Sequence, residues 1–426
     1  MSGAPAASAD GAPSGVLLDG AARERALSAV DALAADVTRA YRMEHRDASL
    51  ASGSAGIAVF YAQIARAMGS DVAGERARAY LDDAIDVVAA EWLGTSLYAG
   101  FTGVAWATEL VGQLLDAHGD DRNENIDDAL CGALGLPPLE RAPFDLIFGL
   151  TGLGVYALER WPRAGAVDLA ALVVDHLTKR ARRDQHGAYW WTPPSLLFGT
   201  SRERSPTGGV DLGVAHGIAG VIPFLGRALA LGVGGSSTDS VLEGAVEWLL
   251  AHAVDTESGP TIPAFVGEGA EPCRTRSAWC YGDPGVAAAL LVSGREARQP
   301  RWTEAGLQLA LRAADLPPAD SGVVDAGFCH GSAGLAHLFS RMHRMTGEPR
   351  LAKAALFWLE RTLEYCEHGW GASTPEIAAG AVHRTWNGLG VLEGAAGVGL
   401  VLLAASTATE PVWDRMFLAS RLAPAD

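Results

Sequence analysis

A pair of glycines three residues apart recurs seven times along this chain, its first member falling at Gly53, Gly100, Gly149, Gly217, Gly282, Gly331 and Gly394. One Gly-x-x-Gly is uninformative, but seven in phase with helical periodicity define a repeat protein. The intervals between first glycines are 47, 49, 68, 65, 49 and 63 residues. About 45 residues suffice for two helices and their turns, so the longer intervals must carry extra loops. The largest are 185–213, with Trp190 and Trp191, and 255–278. Such loops are natural walls for a substrate cleft.

Between the pairs the pattern is helical. Leu27, Val30, Leu33 and Val37 recur at helical spacing, as do Leu81, Ile85 and Val88. After each pair comes a strongly apolar run, as at 57–64, 104–115 and 335–338, and then a charged amphipathic stretch, as at 167–183 and 351–365. Each unit thus offers one helix that needs full burial and one that needs a wet face. Seven such units closed on themselves would form an all-α double ring, with buried helices inside and amphipathic ones outside. A helix start crowded against neighbouring loops requires positions without a Cβ, and the turn entering it favours positive φ. The glycines are therefore read as architecture.

Hydrophobic residues make up 49% of the 426 and charged residues 19%, enough for a large core. Length alone suggests about three domains; the repeat argues instead for one, over 21–426, preceded by a disordered tail at 1–20. The formal charge of −17 excludes a nucleic-acid binder built on clustered Lys and Arg. No apolar run reaches the roughly 18 residues of a spanning helix, and the start of the chain lacks the basic head and apolar stretch of a secretory signal. Five cysteines without framework spacing indicate a reducing, cytoplasmic setting. A closed ring has no open repeat ends, so a monomer is expected.

Equivalent positions in a repeat array point at one shared place. One residue before the first glycine the chain reads Ser52, Ala99, Phe148, His216, Tyr281, His330 and Glu393; two before, it reads Ala51, Tyr98, Ile147, Ala215, Cys280, Cys329 and Leu392. Metal-type side chains thus appear only in repeats four to six, and there together. Thiolate and imidazole suit zinc, and a catalytic zinc keeps three protein ligands and one open position. Cys280, Cys329 and His330 are the candidate ligands. The competing reading is two buried cysteines, free or bridged, and a packed histidine. Cys131, Cys273 and Cys366 share no register and are read as structural. His216 occupies the seat equivalent to His330 and suits acid–base work near neutral pH. Arg276, in the loop entering the site, would stabilise an oxyanion. Asp145 would orient a histidine, pair with Arg276 or cap a helix. Tyr281 would hydrogen-bond near the metal or pack. His337, two turns along its helix from His330, is expected to pack.

The segments Trp279-Cys280-Tyr281-Gly282-Asp283-Pro284-Gly285 and Cys329-His330-Gly331-Ser332-Ala333-Gly334 resemble signatures of the lanthionine synthetase C-like proteins, the lantibiotic cyclases. Ala215-His216-Gly217-Ile218-Ala219-Gly220 and Leu392-Glu393-Gly394-Ala395-Ala396-Gly397 resemble two further repeats of that family. The resemblance runs from about residue 21 to about 407 and implies an α,α-toroid of seven inner and seven outer helices. It also implies zinc on Cys280, Cys329 and His330, and catalytic importance for His216, Arg276, Asp145 and Tyr281. The implied reaction adds a precursor peptide's cysteine thiol to dehydroalanine or dehydrobutyrine, giving lanthionine or methyllanthionine rings. The implied partners are the dehydrated precursor, a separate dehydratase and a transporter, and the form is a stand-alone cyclase. The long 185–213 segment and the tail after Pro411 are less typical and bear on substrate recognition. Two other readings stand beside this one: a non-catalytic zinc-containing scaffold of the same family that binds thiols or peptides, and a zinc-dependent thiol alkyltransferase like the toroidal prenyltransferase subunit. The latter typically places a carboxylate, a cysteine and a histidine on zinc, whereas this chain offers two cysteines and one histidine.

Overall fold

In the computed structural model, residues 16–41, 47–116, 121–136, 142–197, 202, 205–257, 259–269, 275–367 and 388–420 are described. Seven helices begin directly after the first glycines: α2 (Ser54–Met68), α4 (Phe101–Leu114), α6 (Leu150–Glu159), α8 (Ile218–Ala230), α10 (Asp283–Glu296), α12 (Ser332–Thr346) and α14 (Ala395–Ser406). Seven others alternate with them: α1 (Gly20–Ala40), α3 (Asp71–Ala90), α5 (Glu124–Leu134), α7 (Ala164–Arg180), α9 (Ser236–Ala251), α11 (Pro300–Asp315) and α13 (Pro349–Glu367). The first set packs in chain order, and α14 then packs on α2, which closes the ring; α1 covers α14 from outside. The chain is an α,α-toroid.

Burial separates the two rings as hydropathy predicts. Eleven of the twelve residues of α14 are buried, whereas α11 buries five of sixteen, Trp302, Gly306, Leu309, Ala310 and Ala313, at helical spacing. Inner helices approach closely where one supplies a glycine and its neighbour a ring. Phe224 of α8 occupies the space beside Gly154 of α6, and Phe60 of α2 does the same at Gly399 of α14.

The paired glycines answer mainly to space. A Cβ on Gly56 would overlap the Leu50 carbonyl, and one on Gly334 the Phe328 carbonyl; in every repeat the second glycine lies against the carbonyl six residues before it. Positive φ, expected of the entering turns, occurs among the first glycines only at Gly282, where φ is 98°. The others are extended.

This crowding belongs to a hydrogen-bonded collar. In six of the seven joints between repeats, the residue two before the glycine donates its N–H to the carbonyl of its counterpart in the next repeat. The donors are Ala51 to Tyr98, Ile147 to Ala215, Ala215 to Cys280, Cys280 to Cys329, Cys329 to Leu392 and Leu392 to Ala51, at 2.7–3.3 Å. Buried backbone that lies outside helices is satisfied by this circle.

The long loops carry what alternation over such short runs could not reveal. An antiparallel hairpin, β1 (Arg182–Asp184) with β2 (Gly187–Tyr189), packs on α9, and β3 (Gly209–Asp211) pairs with β4 (Phe265–Gly267), tying the two loops together. Leu17 and Leu18 both donate to the Ala405 carbonyl at 3.0 Å, and Leu18 is buried. Residues 1–15 of the expected tail, and Cys273, lie outside the described residues. No helix among the described residues is long and apolar enough to cross a membrane.

Candidate active site

All seven inner helices start at the collar, so their N-termini, each carrying partial positive charge, converge on the same end of the ring. Anions are favoured there, thiolates included. Cys280 and Cys329 sit in consecutive seats of the collar. With His330 they offer two sulfurs and a ring nitrogen that all lie within 4.8 Å of one another. Cys280 is buried, and Cys329 and His330 are partly so. Both cysteines are free thiols rather than a bridge, as are Cys131 and Cys366.

The two thiols behave as one acid. Cys280 is held well below an ordinary thiol because Cys329 hydrogen-bonds to it and, against its burial, His330 adds to the effect. Cys329 is correspondingly raised, by that same bond and by burial next to a thiolate. Behind the imidazole stand carboxylates, Asp325 Oδ2 at 3.5 Å from His330 Nε2 and Glu393 Oε1 at 3.8 Å from Nδ1. Outer carboxylates of this kind orient metal-binding histidines. Two adjacent thiols, one of them held low, with an imidazole and its carboxylate support, fit a zinc ion by the chemistry of the donor set.

Next to this triad, His216 Nδ1 lies 3.2 Å from Asp145 Oδ2. Burial alone would lower the histidine's pKa; the Asp145 bond and the charges of Asp145 and Asp211 more than offset it, and the net shift is upward. Asp145 also accepts the Phe148 N–H at 2.6 Å through its other oxygen, which closes the turn before Gly149. It therefore orients the histidine and shapes its own turn, and α6 itself has no side-chain cap. Phe148 stacks on His216 with ring centres 5.6 Å apart and is 39% exposed, so it forms an aromatic rim to the cleft. Tyr281, 6.4 Å from His216 between ring centres, donates its hydroxyl to Asp211 Oδ2 at 2.8 Å. Burial and that carboxylate push its phenol far above the ordinary range. Arg276 is exposed, and its charge reaches Cys280, Cys329 and His330.

Two residues of this cluster, Asp211 and Asp325, are absent from the sequence reading. Asp211 is buried, and desolvation raises it to about 6 although Tyr281 and the Gly213 N–H both donate to it. A signal for both was available. Six residues before the first glycine, the chain reads Asp47, Gly94, Pro143, Asp211, Arg276, Asp325 and Gly388. Polar chemistry in that register is densest in repeats four to six, the same repeats that carry His216, Cys280, Cys329 and His330.

Comparison with known proteins agrees with this frame. A family model described as lanthionine synthetase C-like protein matches residues 44–418. The nisin biosynthesis protein NisC of Lactococcus lactis subsp. lactis is 22% identical over 332 residues, covering 70% of this chain and 74% of that one. A zebrafish (Danio rerio) protein named glutathione S-transferase LANCL1 is 23% identical over 342 residues, 76% of each chain. The solved structure of a nisin cyclase superposes with a TM-score of 0.75 at 20% identity, over 92% of this chain and 96% of that one. With a match spanning nearly the whole ring, the chain belongs to the lanthionine synthetase C-like family.

Proposed function

We propose that this protein is a zinc-dependent lanthipeptide cyclase of the cytoplasm, acting on a dehydrated precursor peptide. The observation that carries the proposal is the convergence of Cys280, Cys329 and His330 within 4.8 Å, beside a histidine held by a carboxylate. Cys280, Cys329 and His330 would hold the zinc, whose Lewis acidity would lower the pKa of an incoming thiol toward neutrality, with two thiolate donors keeping that sulfur electron-rich. The precursor's cysteine sulfur then adds to the β-carbon of dehydroalanine or dehydrobutyrine. One C–S bond forms, the alkene π pair moves toward the carbonyl, and a proton returns to the α-carbon, so no atoms are gained or lost.

The protein's own groups account for the rest. Asp145 binds Nδ1 of His216 and leaves Nε2 as the nitrogen that exchanges a proton in the cleft. The raised pKa keeps a share of the ring protonated near neutrality, as donation to carbon requires. Arg276 offers positive charge to the enolate oxygen, and Tyr281, held by Asp211, walls the site beside His216. One relative is named for nisin biosynthesis and the other for glutathione S-transfer, and the second name describes thiol chemistry.

Ring closure leaves mass unchanged and consumes a free thiol. The test is therefore thiol alkylation of a dehydrated Cys-containing peptide after incubation with the protein, read by mass spectrometry, alongside elemental analysis of the protein. Zinc at one per chain, absent from Cys280→Ala, with loss of alkylable thiol only in the wild type, is expected. A protein that holds zinc and binds the peptide but closes no ring would be the scaffold of the same family instead.

A further inference from the structure

Beyond α14 the chain turns back into the ring. A 3₁₀ segment, Val412–Phe417, buries Trp413, Met416 and Phe417. Asp414 is its anchor. This fully buried carboxylate meets His337 of α12 at 2.8 Å and Arg341 at 2.7 Å, and accepts from Ser420 at 2.5 Å. Arg415 pairs with Glu159 of α6 at 3.1 Å. Helices α6 and α12 belong to repeats three and six, so a segment tied to both must lie across the middle of the ring.

There it meets the metal-binding loops from beneath. Phe328, the residue before Cys329, stacks on Phe417 with centres 3.9 Å apart. Trp279, the residue before Cys280, packs edge-on against the same ring at 5.0 Å and donates its Nε1–H to the Phe417 carbonyl at 2.9 Å. Tyr98, which holds repeat two's seat in the collar, donates to the Met416 carbonyl at 2.8 Å. Both cysteines are thus preceded by an aromatic residue that rests on one side chain, supplied by neither loop. The collar fixes the backbones of Cys280 and Cys329 relative to one another along its circumference. The Cys329 carbonyl also accepts the Trp279 N–H at 3.2 Å, and the Phe417 ring supports both loops from the side away from the sulfurs.

We propose that Phe417 is a positioning residue of the metal centre, and that the C-terminal segment braces the two cysteine loops and fixes the separation of their sulfurs. This rests on the zinc reading above. An ordinary core residue would alter stability; a brace alters how tightly the metal is held. Coupling is reciprocal, so a segment that steadies the ligands must itself be steadied when the metal binds.

The experiment uses the full chain with three variants: Phe417→Leu, Trp279→Phe, which keeps an aromatic ring and removes the donor to the Phe417 carbonyl, and Leu169→Ala in the buried face of α7 as a control that only destabilises. Zinc affinity is measured by competition with a chromophoric chelator, and hydrogen exchange of 412–420 is followed in zinc-loaded and zinc-stripped wild type. Phe417→Leu and Trp279→Phe are expected to weaken zinc about tenfold or more, within the range of outer-shell changes. Leu169→Ala should lower Tm with affinity unchanged, and zinc should slow exchange across 412–420. Wild-type affinity in both site variants, or equal exchange with and without zinc, would overturn the brace. Were Phe417→Leu not to fold, Trp279→Phe carries the comparison. A wild type that takes up no zinc would instead refute the metal reading itself.

Discussion

Replacing Asp211 by Asn tests whether the site is kept at a cost in stability. Asp211 is buried, and its carboxyl ionises near 6 rather than at the ordinary 3.8. The folded state therefore holds this proton more tightly than the unfolded chain does. Stability is complete below about 3.8 and is lost as pH rises through 6, because the unfolded chain ionises first. The distance from 3.8 to about 6, at 1.36 kcal/mol per pH unit, comes to about 3 kcal/mol. Asn keeps the shape without the charge, and the Tyr281 hydroxyl reverses to accept from the new amide. Asp211→Asn should accordingly be more stable than the wild type by about 1 kcal/mol at pH 4.5 and about 3 kcal/mol at pH 8. With an unfolding entropy of about 2.1 cal/mol/K per residue, that is about 1 °C and about 3 °C in Tm. Scanning calorimetry of both proteins from pH 4.5 to 8 reads this directly. A Tm difference that stays flat with pH, or a variant less stable at pH 8, would refute the argument. The same substitution removes one of the charges that raise His216, so activity should fall while stability rises, the usual trade at a site of perturbed ionisation.

His216→Ala should retain zinc and slow ring closure by about 10²–10⁴, the range of a lost proton-transfer group; normal thiol consumption would remove it from the mechanism. Asp145→Asn should lower the His216 pKa and move the alkaline limb of the rate profile to lower pH, measured as initial rates between pH 5.5 and 8.5. Asp414→Ala leaves His337 buried without its carboxylate and Arg341 with Glu410 as its remaining partner, and should cost about 3 kcal/mol in chemical denaturation. Gly334→Ala places a methyl group onto the Phe328 carbonyl and should prevent the collar from closing at repeat six, seen as a loss of soluble, cooperatively melting protein.

The ring was legible because its signal is both local and repeated. Each inner helix announces itself by a glycine pair and an apolar run, and register alone brought Cys280, Cys329, His330 and His216 to one place. Asp145 and Arg276 lie in other registers, and their geometry follows from turns that bring the residues four and six before the glycine under the same rim. Asp211 went unread because a lone Asp before a glycine-rich turn looks like a turn former; only its seat in the repeat distinguishes it. Phe417 and Asp414 carried no signal at all. Their partners lie in repeats two, five and six, and a six-residue 3₁₀ segment has no period to recognise. His337 was expected to pack, and it does, but against a carboxylate 77 residues away. The three-residue strands are too short for alternation to register.

The collar makes the seven seats nearly equivalent as backbone, so what differs from seat to seat is the side chain placed in it. Moving the side chains of repeats four to six each one seat along would turn the whole reactive centre about the ring axis by roughly one-seventh of a circle, with the positive-φ turn at Gly282 the exception to be remade. The two sheet-bearing loops would stay where they are. The direction from which a peptide meets the nucleophile would thereby be set by a choice of seat, and a toroid of this kind could be re-aimed at a new substrate by a few exchanges between repeats.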